Sequence, residues 1–340
     1  MNVNNFNNCI ILFGGSSEER MVSVASAQNL STMIPEAALW FWSLEGKIFE
    51  ISQTELSEHN NAFVTQFEPK SEAKFSSLNS SLEAMKEKTV IISLHGTEGE
   101  DGTLQELFEV NKIKFTGSNS KSSKLAFDKM ATKKLAASNG LAVVTDLALN
   151  LFDDGEIEKL NVFFLEHKKI VLKPLANGSS VGLFIISNQE ELNSAITMIK
   201  AKDILSYMAE PFITGREITV GVWQKNYHKT ISLPCSEVKV LQGGQFDYQG
   251  KYLGKGIEEL TPAPLTEEET KACQELALKL HFLIGCKGYS RTDMILTENG
   301  PIILEINTLP GLTKASFIPQ QLLAIKTDLR TFFTSQISLK

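Results

Sequence analysis

The chain has 340 residues, with 33 Lys+Arg against 40 Asp+Glu and a formal net charge of −7. That length fits two or three domains at roughly 150 residues each, and a mildly acidic chain is a poor ligand for nucleic acid or anionic membrane surfaces. Hydrophobic residues at 42% and charged residues at 21% exclude disorder, collagen and coiled coil, and no apolar run approaches the ~18 residues of a membrane helix.

The N-terminus, Met-Asn-Val-Asn-Asn-Phe-Asn-Asn, has neither the basic start nor the apolar stretch of a signal peptide. Cys9, Cys235, Cys273 and Cys286 are scattered with no CxxC pair, which fits reduced side chains and a cytoplasmic location. Residues 9–13 (Cys-Ile-Ile-Leu-Phe) form a continuous apolar run ending at Gly14-Gly15, the pattern of a strand buried on both faces. A helix is expected from Met21 to Met33. A second buried strand, 90–94, runs into His95-Gly96, with a helix from Thr103. Strands alternating with helices predict a doubly wound parallel sheet over residues 1–118; between the strands, residues 52–88 are polar and carry no clear pattern. His95 closes a buried strand at its C-terminal end, where open α/β sheets keep their ligand crevice, so it is a candidate catalytic or substrate-binding residue. His59, His167, His228 and His281 lack that context.

Residues 119–125 predict a linker, followed by a helix from Phe127 to Ser138 closed by Asn139-Gly140. Strands are expected at 169–174 and 181–186, joined by Asn177-Gly178-Ser179-Ser180. That small-residue turn can cradle a phosphate with its backbone N–H groups, or be an ordinary hairpin. Lys173 lies inside an apolar strand, where an unpaired charge is costly, so it requires an anion. After a helix at 189–200, the run 204–213 leads into a strand at 216–223, and the second domain boundary is placed near 205. The Gly-rich stretch 242–258 is expected to be a long lid loop.

The segment Gly288–Thr308 alternates cleanly. Met294, Leu296, Ile302, Leu304 and Ile306 fall on one face; Arg291, Asp293, Glu305 and Asn307 fall on the other. A three-residue loop Glu298-Asn299-Gly300 would set Asp293 opposite Glu305 and Arg291 opposite Asn307. Opposed carboxylates repel unless a cation neutralises them, as Mg²⁺ held by one or two carboxylates and substrate phosphates does. The other reading is a polar face meeting water. No Walker A or G-x-G-x-x-G match exists: Gly250-Lys251 is followed by Tyr252, and Gly14-Gly15-Ser16-Ser17 has the wrong spacing.

Four segments in order, Gly14-Gly-Ser-Ser-Glu-Glu-Arg20, His95-Gly-Thr-Glu-Gly-Glu-Asp-Gly-Thr103, Lys173-Pro-Leu-Ala-Asn-Gly-Ser-Ser-Val-Gly182 and Glu305-Ile-Asn-Thr-Leu-Pro-Gly311, carry a resemblance to the D-alanine–D-alanine ligases of the ATP-grasp fold. The match spans nearly the whole chain. It implies a three-domain α/β fold: 1–118 binding the first D-alanine, 119–205 as the central ATP-grasp subdomain, and 206–340 as the C-terminal one with the metal site and the 242–258 lid. By resemblance, Lys129 and Lys173 contact ATP phosphates, Glu210, Phe212 and Ile213 the adenine, and Glu217 the ribose. Asp293, Glu305 and Asn307 would hold two Mg²⁺, with Mn²⁺ an alternative. Glu19 would bind the ammonium of the first D-alanine and Ser316 the carboxylate of the second, with His95 and Lys251 as further substrate contacts. Arg291 and the Gly311 amide would form an oxyanion hole, and Glu19, Ser179 and Tyr252 a hydrogen-bonded network.

The activity this implies is ATP-dependent ligation of two D-alanines through an acyl phosphate, for peptidoglycan precursors, by a cytoplasmic homodimer without nucleic-acid or membrane partners. Two departures stand out: Met21 replaces a second Glu common in the family, and 52–88 is longer than usual. Three rival readings fit the residues less well. Tyr252 argues against a D-alanine–D-lactate ligase, since depsipeptide-forming relatives tend to carry Phe there. The set Lys173, Arg291, Asp293, Glu305 and Asn307 argues against a non-catalytic nucleotide-binding regulator. The missing glycine fingerprint argues against an NAD(P) oxidoreductase.

Overall fold

A computed structural model describes residues 6–175, 182–201, 206–240 and 256–339. The apolar run at the start becomes strand β1 (Cys9–Gly14), buried at every position. It lies at the centre of a five-stranded sheet with β2 (Ala38–Trp42), β3 (Ile48–Ile51), β4 (Thr89–Ile92) and β5 (Lys114–Phe115), in the order β3-β2-β1-β4-β5. Four strands run parallel, whereas β3 is antiparallel to β2. The short Ser43–Lys47 turn joining them leaves no room for a crossover helix. Helix α1 (Arg20–Met33) packs on β1. The unpatterned stretch 52–88 holds two short helices, α2 (Gln53–Glu58) and α3 (Leu78–Met85), each N-capped by a serine hydroxyl. Between them Phe67 sets its ring 5.1 Å from Phe41 and 6.2 Å from Phe13, covering the sheet.

Residues 119–125 are helical rather than a linker. Asn119 caps α5 (Ser120–Phe127) by accepting from the Ser122 N–H, and Ser122, Ser123 and Ala126 form its buried side. Asp128 then ends α5 and caps α6 (Lys129–Ser138), so the single helix expected from Phe127 is two. α4 (Thr103–Val110) starts where the sequence places it.

The central sheet has the order β6-β9-β7-β8, from β6 (Leu147–Asn150), β7 (Ile170–Pro174), β8 (Phe184–Ile186) and β9 (Ser206–Pro211), all antiparallel. Helices α7 (Asp154–His167) and α8 (Gln189–Ala201) close its core with Leu160, Phe164, Leu192 and Ile199. Because β9 pairs with β6 and β7, the break in strand pairing falls after Pro211 and not at 205. Likewise α5 and α6 send Ala126 and Ala136 into the core of the third sheet, although the sequence groups 119–138 with the central one.

That third sheet is built from β10 (Arg216–Asn226), β11 (Lys229–Ser232), β12 (Ser236–Val240), β13 (Ile257–Leu260), β14 (Tyr289–Thr297) and β15 (Gly300–Asn307). Its order is β13-β12-β10-β14-β15, with β11 beside β10. Of the expected lid, 242–255 lies outside the described residues; Ile257 and Glu258, read as its end, pair with Val240 and Lys239 as part of β13. The helix Glu267–Ile284, with a Thr266/Glu269 capping box, buries Cys273, Ala277 and Leu280 against one face of the sheet.

The β14–β15 hairpin turns through two residues, Glu298-Asn299, not three, since Thr297 pairs with Gly300. The register then shifts between Asp293/Glu305 and Met294/Ile303, leaving Leu304 as a bulge residue. The shorter turn and the bulge cancel, so Asp293 does face Glu305 and Arg291 does face Asn307. They do not cancel for the apolar face: Ile303 is the buried residue, Leu304 is half-buried, and Ile302 pairs with Ile295 on the polar side. The C-terminal helices Phe317–Ala324 and Leu329–Gln336 join the first and third sheets into one core, with the Phe332 ring tilted against Trp223 and edge-on to Tyr289. Among the described residues no helix is long and apolar enough to cross a membrane.

Candidate active site

A solvent-open cleft lies between the first sheet and the polar face of the third. Nine of the expected residues line it: Glu19, His95, Glu217, Arg291, Asp293, Glu305, Asn307, Gly311 and Ser316. Directly opposed residues of antiparallel strands share a face. Thr219, Asp293 and Glu305 therefore form one row across β10, β14 and β15, with Gly221, Arg291 and Asn307 in the next. Residues two apart on a strand also share a face, which brings Arg291 onto Asp293. Its Nε donates to Oδ1 at 2.9 Å and its Nη2 to Oδ2 at 2.7 Å. The Thr219 hydroxyl also donates to Oδ1, and Asn307 Nδ2 lies 3.4 Å from Oδ2. Across the row, Lys129 Nζ at the start of α6 stands 3.4 Å from Glu305 Oε2.

The opposed carboxylates are thus each matched by a cation of the chain. Among the described residues no group of three or more His, Cys, Asp or Glu side chains forms a metal cluster. The donor set is two carboxylates and one amide on a half-buried row, which suits a hard cation completed by phosphate oxygens better than a closed protein cage.

Lys173 and Glu210 meet on the central sheet: the ammonium is 2.8 Å from Glu210 Oε2. The anion that a strand lysine requires is therefore a protein carboxylate. Glu210 is 3% exposed and also accepts from Lys133 of α6, which stands 3.3 Å from Asp146. Phe212 and Ile213 are half-buried in the turn after β9, with Lys169 Nζ 3.6 Å from the Phe212 ring centroid. None of Lys173, Glu210, Phe212 and Ile213 lines the cleft. Ser179, Lys251 and Tyr252 lie outside the described residues.

Glu19 precedes α1 at the rim of the first sheet. Gly96 (φ +73°) permits its approach, because a Cβ there would lie 2.9 Å from Glu19 Oε2 and collide with Ser17 Oγ. Glu100 turns back onto the same loop, accepting from the Gly96 N–H at 3.2 Å. Burial, and then the Glu19 charge, push the Glu100 carboxyl up to about 8. His95 is buried with both ring nitrogens engaged by the protein, Nε2 with Ser26 and Nδ1 with the Leu309 carbonyl. Burial lowers its pKa.

Sequence reasoning passed over Lys133, Glu100, Thr219, Ser26 and Phe63, of which Glu100, Thr219 and Phe63 line the cleft. Two carried a signal. Lys133 follows Lys129 by one helical turn, and Ser23, Ser26 and Asn29 form an i, i+3, i+6 polar stripe among the buried residues of α1.

Family models described as D-ala D-ala ligase N-terminus and D-ala D-ala ligase C-terminus match residues 8–118 and 139–333. A D-alanine–D-alanine ligase of Leptospira interrogans is 33% identical over 97% of each chain. Of solved structures, the D-alanine–D-alanine ligase from Coxiella burnetii aligns with a TM-score of 0.78 at 25% identity, covering 97% of this chain and 92% of that one. The VanG D-Ala:D-Ser ligase from Enterococcus faecalis aligns with a TM-score of 0.78 at 26% identity, covering 97% and 98%. With both halves matched in order and a carboxylate hairpin facing the Glu19 rim, the chain belongs to the D-alanine–D-alanine ligase family.

Proposed function

We propose that this chain joins two molecules of D-alanine to D-alanyl-D-alanine, converting ATP to ADP and phosphate, as a cytoplasmic step toward peptidoglycan precursors. The observation that carries the reading is the Asp293–Glu305 row with Arg291 beside it, in one cleft with Glu19 and Gly311. A carboxylate is a poor electrophile, so it must be activated before an amine can attack. Glu19 would hold the ammonium of the first D-alanine, directing its carboxylate toward the γ-phosphorus of ATP. Lys129 and Lys173 would offset charge on the transferred group, with Glu217 and the Glu210–Ile213 stretch at the nucleoside. Asp293, Glu305 and Asn307 would hold Mg²⁺ or Mn²⁺, which when bound neutralises phosphate charge.

The second D-alanine is held by its carboxylate at Ser316, the N-cap of Phe317–Ala324. Its amine, once it has lost a proton, attacks the acyl phosphate carbonyl. Arg291, held in one orientation by its two bonds to Asp293, and the Gly311 N–H meet the oxyanion before phosphate leaves. Water must be kept out, because an acyl phosphate hydrolyses. Ser179, Lys251 and Tyr252 keep the roles that the family pattern gives them.

The test is incubation with Mg-ATP and D-alanine. ADP and D-alanyl-D-alanine in equal amounts are expected. ADP without dipeptide, or product only when D-lactate or D-serine is added, would overturn the reading.

A further inference from the structure

The loop Leu309–Leu312, which carries Gly311, is gripped by three buried side chains, two from α1 and one from the loop after β4. His95 Nδ1 lies 2.9 Å from the Leu309 carbonyl oxygen. A carbonyl can only accept, so Nδ1 bears the proton and Nε2 is an acceptor. Ser26 Oγ, 2.9 Å from Nε2, must donate its hydrogen there. Its lone pairs then accept the Leu312 N–H at 3.2 Å. One turn further along α1, Asn29 Nδ2 donates to the Leu312 carbonyl at 2.8 Å. Ser26 is 0% exposed, His95 4% and Asn29 5%, so water competes for none of these bonds. Gly311 itself is half-buried and faces the cleft between buried Pro310 and Leu312.

We propose that Ser26 is a positioning residue for the ligation step: through His95 and Leu312 it holds the Gly311 amide where the oxyanion of the second half-reaction forms. The proposal rests on the ligase reading above. It gives His95 a place in the protein's own hydrogen bonding, and it separates the two half-reactions. Phosphoryl transfer uses groups that the clamp does not touch, whereas attack on the acyl phosphate needs a donor at Gly311. Misplacing a catalytic group by about 1 Å costs up to ~100-fold in rate.

Two variants cut the same link. Ser26→Ala removes the hydroxyl. His95→Asn keeps a donor at the δ position for Leu309 and loses the acceptor for Ser26. In rapid-quench single turnovers with Mg-ATP and D-alanine, Ser26→Ala should form ADP within about threefold of the wild-type rate and dipeptide about 10–100-fold more slowly, and His95→Asn should slow dipeptide more than ADP. The double variant should be no slower than the worse single one. Hydrogen exchange at the Leu312 amide should accelerate in Ser26→Ala, which removes its acceptor, a readout that needs no turnover; if Ser26→Ala does not fold, the split between the two half-reactions in His95→Asn carries the test. Equal slowing of ADP and dipeptide, or unchanged Leu312 exchange, would overturn the clamp. Failure of the wild type to form ADP with D-alanine would instead overturn the ligase reading.

Discussion

The β14–β15 hairpin and the central β7–β9 pair both carry charged side chains into buried or half-buried positions, but they balance them over different ranges. On the hairpin, Asp293 is met by Arg291 two residues before it on the same strand. On the central sheet, Lys173 is met by Glu210, 37 positions away on β9. One helix serves both: α6 sends Lys129 to Glu305 and, one turn later, Lys133 to Glu210. α6 thus ties the two walls between which ATP would lie. Local pairing yields a preorganised face, whereas pairing across sheets couples the position of one wall to the other.

Removing a hairpin carboxylate should have the largest effect on activity. Glu305→Gln is expected to lower turnover by at least ~100-fold while changing stability by less than about 1 kcal/mol, because the glutamine amide keeps an oxygen for Lys129 across a 3.4 Å contact. Thermal melts without Mg²⁺ alongside a coupled ADP assay separate the two. A variant that melts far below wild type would show the hairpin carboxylates to be structural.

The same comparison predicts the opposite balance on the central sheet. Lys133→Met removes a cation that is 3% exposed beside Glu210 and Asp146. Stranding buried carboxylates typically costs about 3–5 kcal/mol, and Lys173 remains, so a loss near the lower figure is expected in denaturant titration. Lys173→Met, which leaves Lys133 on Glu210, should lose less stability and raise the KM for ATP more.

A third probe lies on the covered face behind the hairpin. His281 is buried against Ser290, its Nδ1 2.7 Å from the hydroxyl, and burial lowers its pKa to about 4. Between pH 6.5 and about 4 the unfolded chain binds a proton that the folded chain does not, so stability falls as pH falls through that window. The full loss is about 3 kcal/mol. Urea titrations at pH 7 and pH 5 should show about 2 kcal/mol of it, and His281→Gln should flatten the slope. The smallest effect belongs to the turn: Gly300 has φ +106°, so Gly300→Ala should cost about 1–2 kcal/mol and leave kcat unchanged.

What was legible in the sequence follows the same divide. Period-two alternation exposed Arg291, Asp293, Glu305 and Asn307 as one face, because strand geometry is local. It could not reveal the bulge at Leu304, which depends on the partner strand and moved Ile303 into the core in place of Ile302 and Leu304. The serines of α5 looked like a linker because small polar residues favour turns, yet here they allow close approach to the Gly285 carbonyl. The Ser26–His95–Leu309 connection spans more than 280 residues of chain, and no spacing rule reaches that far. β9 follows the expected boundary near 205 yet pairs with β6 and β7, because which sheet a strand joins is decided by its pairing partners.

The central claim is that the first D-alanine is activated as an acyl phosphate in the cleft between Glu19 and the β14–β15 hairpin. D-Alanine labelled with oxygen-18 in its carboxylate tests it directly. The oxygen that attacks the γ-phosphorus must leave with phosphate when the amine displaces it. Mass spectrometry of the products should find one labelled oxygen in each phosphate released and one fewer in the new amide carbonyl. Phosphate carrying no label, with dipeptide still formed, would contradict the account.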